Sequence, residues 1–140
     1  MSAATDFESL DFLYMPSSDV AGDLGFYTDM LGGEVAFAIE AFGARVAEVR
    51  LSHAEPRLLL ADHLDGEAPV LVFRVADLDA ALAELEKRGV AIEARFGIPH
   101  GPCASLRTPG GQRLALYQLT RPEMDGRFKG RMDFEPTEDG

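Results

Sequence analysis

"RLLLADH" occupies Arg57 to His63 and "RLALYQL" occupies Arg113 to Leu119. Three of their first four letters agree, and the stretches preceding the two copies are also alike. Before the first copy, "DFLYMP" has the apolar, strand-forming composition of a short β-strand. Ser18 or Asp19 then supplies a helix N-cap. Val20, Leu24, Tyr27 and Leu31 come next at steps of four, three and four, the spacing of one buried helix face. Gly32 and Gly33 end the helix, because glycine accepts the left-handed backbone of a C-cap. Three strand-like runs, "EVAFAIEAF", "ARVAEVRLSH" and "PRLLLADH", are separated by turns at Gly43 and at Glu55-Pro56.

After "LDGEAP" the order returns. "VLVFRVAD" reads as a strand, Asp77 as a cap, Leu78, Leu82 and Leu85 as a helix stripe, and Gly89 as its stop. "VAIEARF", "CASLRTP" and "QRLALYQL" complete the copy, with Gly110-Gly111 turning between the last two. Aligning Asp19 with Asp77 and Gly33 with Gly89 sets Arg57 against Arg113 and Leu60 against Leu116. A βαβββ unit is therefore written twice. The expected organisation is one domain over residues 8–120, made of modules 8–63 and 69–120. A C-terminal arm covers residues 121–140. The arm carries Phe128 and Phe134 without a helical or strand period. It is expected to lie on the body or on a partner subunit, with its last few residues disordered.

Bulk properties exclude several classes of function. The 140 residues are 46% hydrophobic with no long apolar run, which fits a soluble globular domain and no membrane span. "MSAATDFESLDF" has no basic segment leading into an apolar one, so no secretory leader is expected. A lone cysteine, Cys103, suits a reducing cytoplasm. A formal charge of −11 argues against nucleic acid as a partner, since backbone binding needs clustered positive charge. Solubility is its plainest consequence, and it is also compatible with cationic small molecules.

The doubled βαβββ, with "SDVAGDLGFYTDMLGG" after the first strand and "TPGGQRLALYQL" at the end, resembles the vicinal oxygen chelate superfamily. That superfamily includes glyoxalase I, extradiol dioxygenases, fosfomycin-resistance enzymes and the bleomycin-resistance binding proteins. The resemblance covers about Asp11 to Leu119. It implies an α+β fold, two βαβββ modules forming a curled mixed sheet around a cleft, with helices on the outer faces. Strand alternation then sorts the side chains. Leu13, Met15, Leu58, Leu60, Leu71, Phe73, Val75, Leu114 and Leu116 are expected under the helices. Phe12, Tyr14, Leu59, Ala61, Val70, Val72, Arg74, Arg113, Ala115 and Tyr117 are expected on the cleft side.

Enzymes of this superfamily usually hold a divalent metal at positions that align here with Phe12, Leu59, Val70 and Ala115. None of these side chains can donate an electron pair to a metal. The expectation is therefore no inherited metal site and no cofactor. A relocated site could draw on His53, His63, His100, Asp62 and Cys103, but no pair has ligand spacing such as HxxxH, and single histidines at strand ends are usually solvated. Cys103 reads as a buried, inert thiol rather than a nucleophile. His100, in the loop "GIPHGPC", is a candidate for touching a ligand. Tyr14 and Tyr117 could stack on a planar ligand or simply fill the core.

Arg74 and Arg113, if turned inward, need acidic partners, and Glu40 and Glu48 are the expected ones. The charges of "DAALAELEKRG" form the wet face of the second helix. There is no Ser-His-Asp order, phosphate loop or CxxC, so no catalytic set is found. The expected function is a metal-free small-molecule binding protein of the bleomycin-resistance type. It would hold a partly aromatic ligand in an apolar cleft through Phe12, Tyr14, Leu59, Val70, Arg74, His100, Ala115 and Tyr117. The alternatives are a metal-dependent lyase, isomerase or dioxygenase with a relocated metal, and an interaction module whose cleft is filled by its own side chains. Open sheet edges point to a homodimer.

Overall fold

A computed structural model describes residues 7–41, 43–64, 66 and 68–136. Phe42 in the second expected strand and the arm's last four residues, where disorder was expected, lie outside the described residues. The chain is α+β and runs β1 (Ser9–Pro16), α1 (Val20–Gly25), β2 (Glu34–Ala41), β3 (Ala44–Arg50) and β4 (Arg57–Ala61). The same order then repeats as β5 (Val70–Arg74), α2 (Leu78–Lys87), β6 (Ala94–Ile98), β7 (Gly101–Arg107) and β8 (Arg113–Tyr117). A short helix, α3 (Met124–Arg127), comes last. None of the described helices is long and apolar enough to cross a membrane.

The fold divides into two compact units. The first comprises Phe12–Pro69 and the chain from Gly126 on, and the second comprises the chain up to Asp11 with Val70–Asp125. Strand order in the first unit is β2-β3-β4-β1, with β1 parallel to β4 and the other pairs antiparallel. In the second it is β5-β8-β7-β6, with β5 parallel to β8, so both arrangements are mixed. The head of β1 lies beside β5, where Glu8 N–H donates to the Arg74 carbonyl at 2.8 Å.

Registers repeat residue for residue. Leu13 faces Leu58 and Tyr14 faces Leu59, as Leu71 faces Leu114 and Val72 faces Ala115. Arg57 and Arg113 each open a five-residue final strand. The doubled module is thus present at the level of single hydrogen-bonded pairs.

Each unit buries one sheet face under its own helix. Val20 and Leu24 of α1 pack with Ala38, Ala47, Val49 and Leu60, with Met15 and Leu58 at the margin. Leu78, Ala81 and Leu82 of α2 pack with Val75, Ala104 and Leu116. Both helices are capped as expected, Asp19 accepting from Gly22 N–H and Asp77 from Ala80 N–H. Such caps contribute about 1 kcal/mol each.

Two local readings change. The stripe Val20–Leu24–Tyr27–Leu31 does not hold to its end: Tyr27 is half-buried and Leu31 is exposed. A π-helical turn over Phe26–Met30 interrupts the α-helix. Its extra residue rotates the chain beyond it by about 100°, carrying Leu31 off the buried face. The strand expected from Val90 begins only at Ala94. Val90 N–H instead bonds back to the Leu85 carbonyl, and Ile92 packs on the second core, so this stretch serves the helix rather than the sheet.

The arm lies on the first unit. Gly130 N–H donates to the Ala36 carbonyl, Ala38 N–H to that of Arg131 and Asp133 N–H to that of Ala38. Phe128 meets Phe37 with ring centroids 5.6 Å apart, and Arg45 stands over the Phe134 ring. The outer edge of β2 is thereby paired.

Candidate functional site

With one face of each sheet committed to a helix, alternation turns a second set of residues to the other face. In the first unit, one row across the strands reads Tyr14–Leu59–Glu48–Phe37. The adjacent row begins Phe12–Arg57. In the second unit, the rows read Val72–Ala115–Ser105–Ala94 and Arg74–Tyr117–Cys103–Phe96, and Arg113 faces Arg107 one step beyond. These are the faces on which the sequence placed the candidate ligand residues.

In the first unit the acid in these rows is Glu48, which is buried. Arg50 approaches it at 3.4 Å and Arg57 at 3.7 Å, and the Arg57 guanidinium lies 5.1 Å from the centre of the Phe12 ring. Phe12 and Tyr14 meet edge to face at 6.1 Å. A carboxylate buried beside one cation would be costly, and two arginines with an aromatic face offset that cost.

In the second unit a polar network gathers at the head of β1. The buried Tyr117 hydroxyl donates to Asp11 Oδ2, and the Ser9 hydroxyl donates to Asp11 Oδ1 at 2.5 Å. Arg74 Nε stands 3.4 Å from Glu8 and 3.7 Å from Asp11. His100 is buried with its ring edge-on to Tyr117 at 6.5 Å, and its carbonyl accepts from Thr120 and Arg121 N–H. At the other end of the face, Arg107 Nε donates to Glu93 Oε2 and the Ser105 hydroxyl donates to Glu93 Oε1 at 3.0 Å. Arg113 Nε reaches 3.4 Å from that same oxygen. The Arg107 guanidinium holds the Glu93 carboxyl below the usual range. Burial pushes the Cys103 thiol up to about 12, which leaves it a neutral packing group.

Arg74, His100 and Tyr117 are therefore brought together, as are Phe12, Tyr14 and Leu59. The expected acidic partners of the arginines are corrected. Glu48 is held by Arg50 and Arg57, and Glu40 by Arg45 directly across the β2–β3 hairpin, so neither serves Arg74 or Arg113. Those two arginines take acids of their own unit, Glu8, Asp11 and Glu93. Asp11, Glu48 and Glu93 were not read from the sequence as site residues.

Phe12, Leu59, Val70 and Ala115, the positions where the resemblance places metal ligands, are each no more than 5% exposed. None of these four side chains carries a donor atom, and each is buried in its own unit away from hydration, so these residues do not fit a divalent metal. His53 and His63 are exposed, and Asp62 accepts from Arg45 N–H. Among the described residues, no three His, Cys, Asp or Glu side chains group as a metal set.

Doubled βαβββ modules with matching registers define a class of fold, and the comparisons identify which. The model of the Glyoxalase/Bleomycin resistance protein/Dioxygenase superfamily matches residues 9–116, and the chain belongs to that superfamily. A crystal structure of methylmalonyl-CoA epimerase from Mycobacterium tuberculosis superposes with a TM-score of 0.63 at 23% identity, covering 90% of this chain and 97% of that one. The Streptomyces coelicolor methylmalonyl-CoA epimerase in complex with 2-nitronate-propionyl-CoA gives 0.67 at 19% identity, over 83% and 100%. A hypothetical protein from Bacillus halodurans gives 0.68 at 15% identity, over 81% and 95%. At these identities the likeness is one of fold. No curated protein matches the chain.

Proposed function

We propose that this chain is a metal-free small-molecule binding protein of the bleomycin-resistance type, acting in the cytoplasm. One observation carries the reading: Phe12, Leu59, Val70 and Ala115 stand, buried and apolar, where the resemblance expects metal donors. Apolar side chains of this kind favour an aromatic or aliphatic group, at about 25 cal/mol for each Å² removed from water. Tyr14, Arg74, Tyr117 and His100 are the groups that would orient a ligand's polar end. Several structural relatives are methylmalonyl-CoA epimerases, five of these structures holding methylmalonyl-CoA or 2-nitronate-propionyl-CoA, so acyl-CoA thioesters belong in the first ligand screen beside aromatic amides.

The burial of these side chains also favours a second reading, an interaction module whose inner faces are filled by its own residues. A relocated-metal enzyme has no comparable observation behind it. Pairing of two copies belongs to the proposal too, through β6, whose outer edge has no strand beside it among the described residues. Metal analysis of protein purified without chelator, with a thermal-shift ligand screen, tests the function. The expected result is no stoichiometric metal and a ligand-dependent rise in melting temperature. Tightly bound Zn, Ni, Mn or Fe overturns the metal-free reading, and a screen with no response leaves the filled module.

A further inference from the structure

The two units answer the same electrostatic problem differently. Arg50 ends β3 and Arg57 begins β4, just as Arg107 ends β7 and Arg113 begins β8. Each unit thus sets two arginines at equivalent places and needs an anion beside them. In the first unit that anion is part of the sheet. Glu48 faces Leu59 in mid-strand with its side chain 5% exposed, so it cannot leave without unpacking the face. In the second unit Ser105, facing Ala115, holds the equivalent place and brings no charge. The anion comes instead from Glu93, in the irregular stretch before β6, with its side chain 33% exposed.

The fit of Glu93 is also incomplete. It takes one hydrogen bond from Arg107 and one from Ser105, but the buried Arg113 Nε–H makes none. A buried donor left unmatched costs free energy, so a better-placed acceptor is favoured there.

We propose that Ser105, Arg107 and Arg113 form a binding site for the carboxylate of a small organic acid, with Glu93 as its internal stand-in. The planar, two-oxygen geometry suits guanidinium recognition. The apolar body would lie along Val72 and Ala115, the next row on the same face. This inference rests on the small-molecule reading above and narrows its ligand to an acid.

Benzoate and propionate are the probes, titrated at constant ionic strength against sodium chloride. Replacing Glu93 by Ala removes a tethered competitor whose effective concentration is in the millimolar range. Glu93→Ala is therefore expected to bind benzoate at least about tenfold more tightly than the parent chain. Arg107→Gln is expected to weaken that binding by about tenfold or more. Arg107 is the choice because its side chain is 48% exposed and its loss leaves the core intact, whereas Arg113→Met could unfold the chain. The site is overturned if Glu93→Ala binds benzoate no more tightly, if Arg107→Gln leaves binding unchanged, or if chloride acts as strongly. Metal analysis of the same samples separates the two ideas. Bound metal with the Glu93 effect intact removes only the metal-free function, and no metal without the effect removes only the carboxylate site.

Discussion

Replacing Tyr117 by Phe deletes one oxygen from a buried ring and leaves its packing in place. The change removes the hydrogen bond from the hydroxyl to Asp11, an acid that is itself buried. Hydrogen bonds to charged groups contribute about 1.5–3 kcal/mol, and little compensating hydration reaches a site this covered. Asp11 keeps the Ser9 hydroxyl and the more distant Arg74, so the expected cost stays within that range rather than reaching the cost of an isolated charge. For a chain of this size it corresponds to a fall in melting temperature of about 5–12 °C. Urea denaturation of Tyr117→Phe, Asp11→Ala and the double variant gives the coupling directly. A Tyr117→Phe cost below about 0.5 kcal/mol, or a coupling of zero, would refute the assignment of this pair as the main polar tie at the head of β1.

Gly101→Ala is expected to be among the most damaging single changes: φ is 154°, and an added Cβ would lie 2.0 Å from the Gln118 carbonyl oxygen. A loss beyond about 4 kcal/mol, or insoluble protein, is the expected outcome, and a variant as stable as the parent contradicts the close approach. Cys103 is expected to resist iodoacetamide at pH 8 in the native state and to react once unfolded, and equal rates in both states would contradict its burial. Because the folded state holds that proton up to about 12 against an ordinary value of 9.0, the unfolded chain releases it first. Stability attributable to the thiol is therefore complete below pH 9 and is lost as pH rises toward 12.

The repeat was readable because both caps, the helix-ending glycines and the "RL-L" strands are local signals that tertiary structure did not override. Alternation also sorted Met15, Leu58, Leu60, Val75 and Leu116 correctly, since each faces a helix within its own unit. Leu31 went astray because a π-helical turn leaves no periodic trace in composition. The polar partners were missed for a different reason. Asp11 meets Tyr117 across 106 positions, and Glu93 reaches Arg107 and Arg113 from an irregular stretch, so no spacing rule connects them. One clue was present: with a one-residue gap in the connecting loop, the alignment that pairs Arg57 with Arg113 also pairs Arg50 with Arg107. Two arginines recurring together mark a place where an acid must be found.

The arm paired along β2 has a consequence for stoichiometry. A sheet that offers two free edges can recruit neighbours without end, each newcomer presenting the next docking line, and such growth is how fibres arise. Here Arg131 and Asp133 already occupy the hydrogen-bonding groups of Ala38, while β6 carries no such cover among the described residues. Were two copies to pair through β6, as proposed, the contact would use that edge of both participants at the first encounter, and growth through it would stop at two.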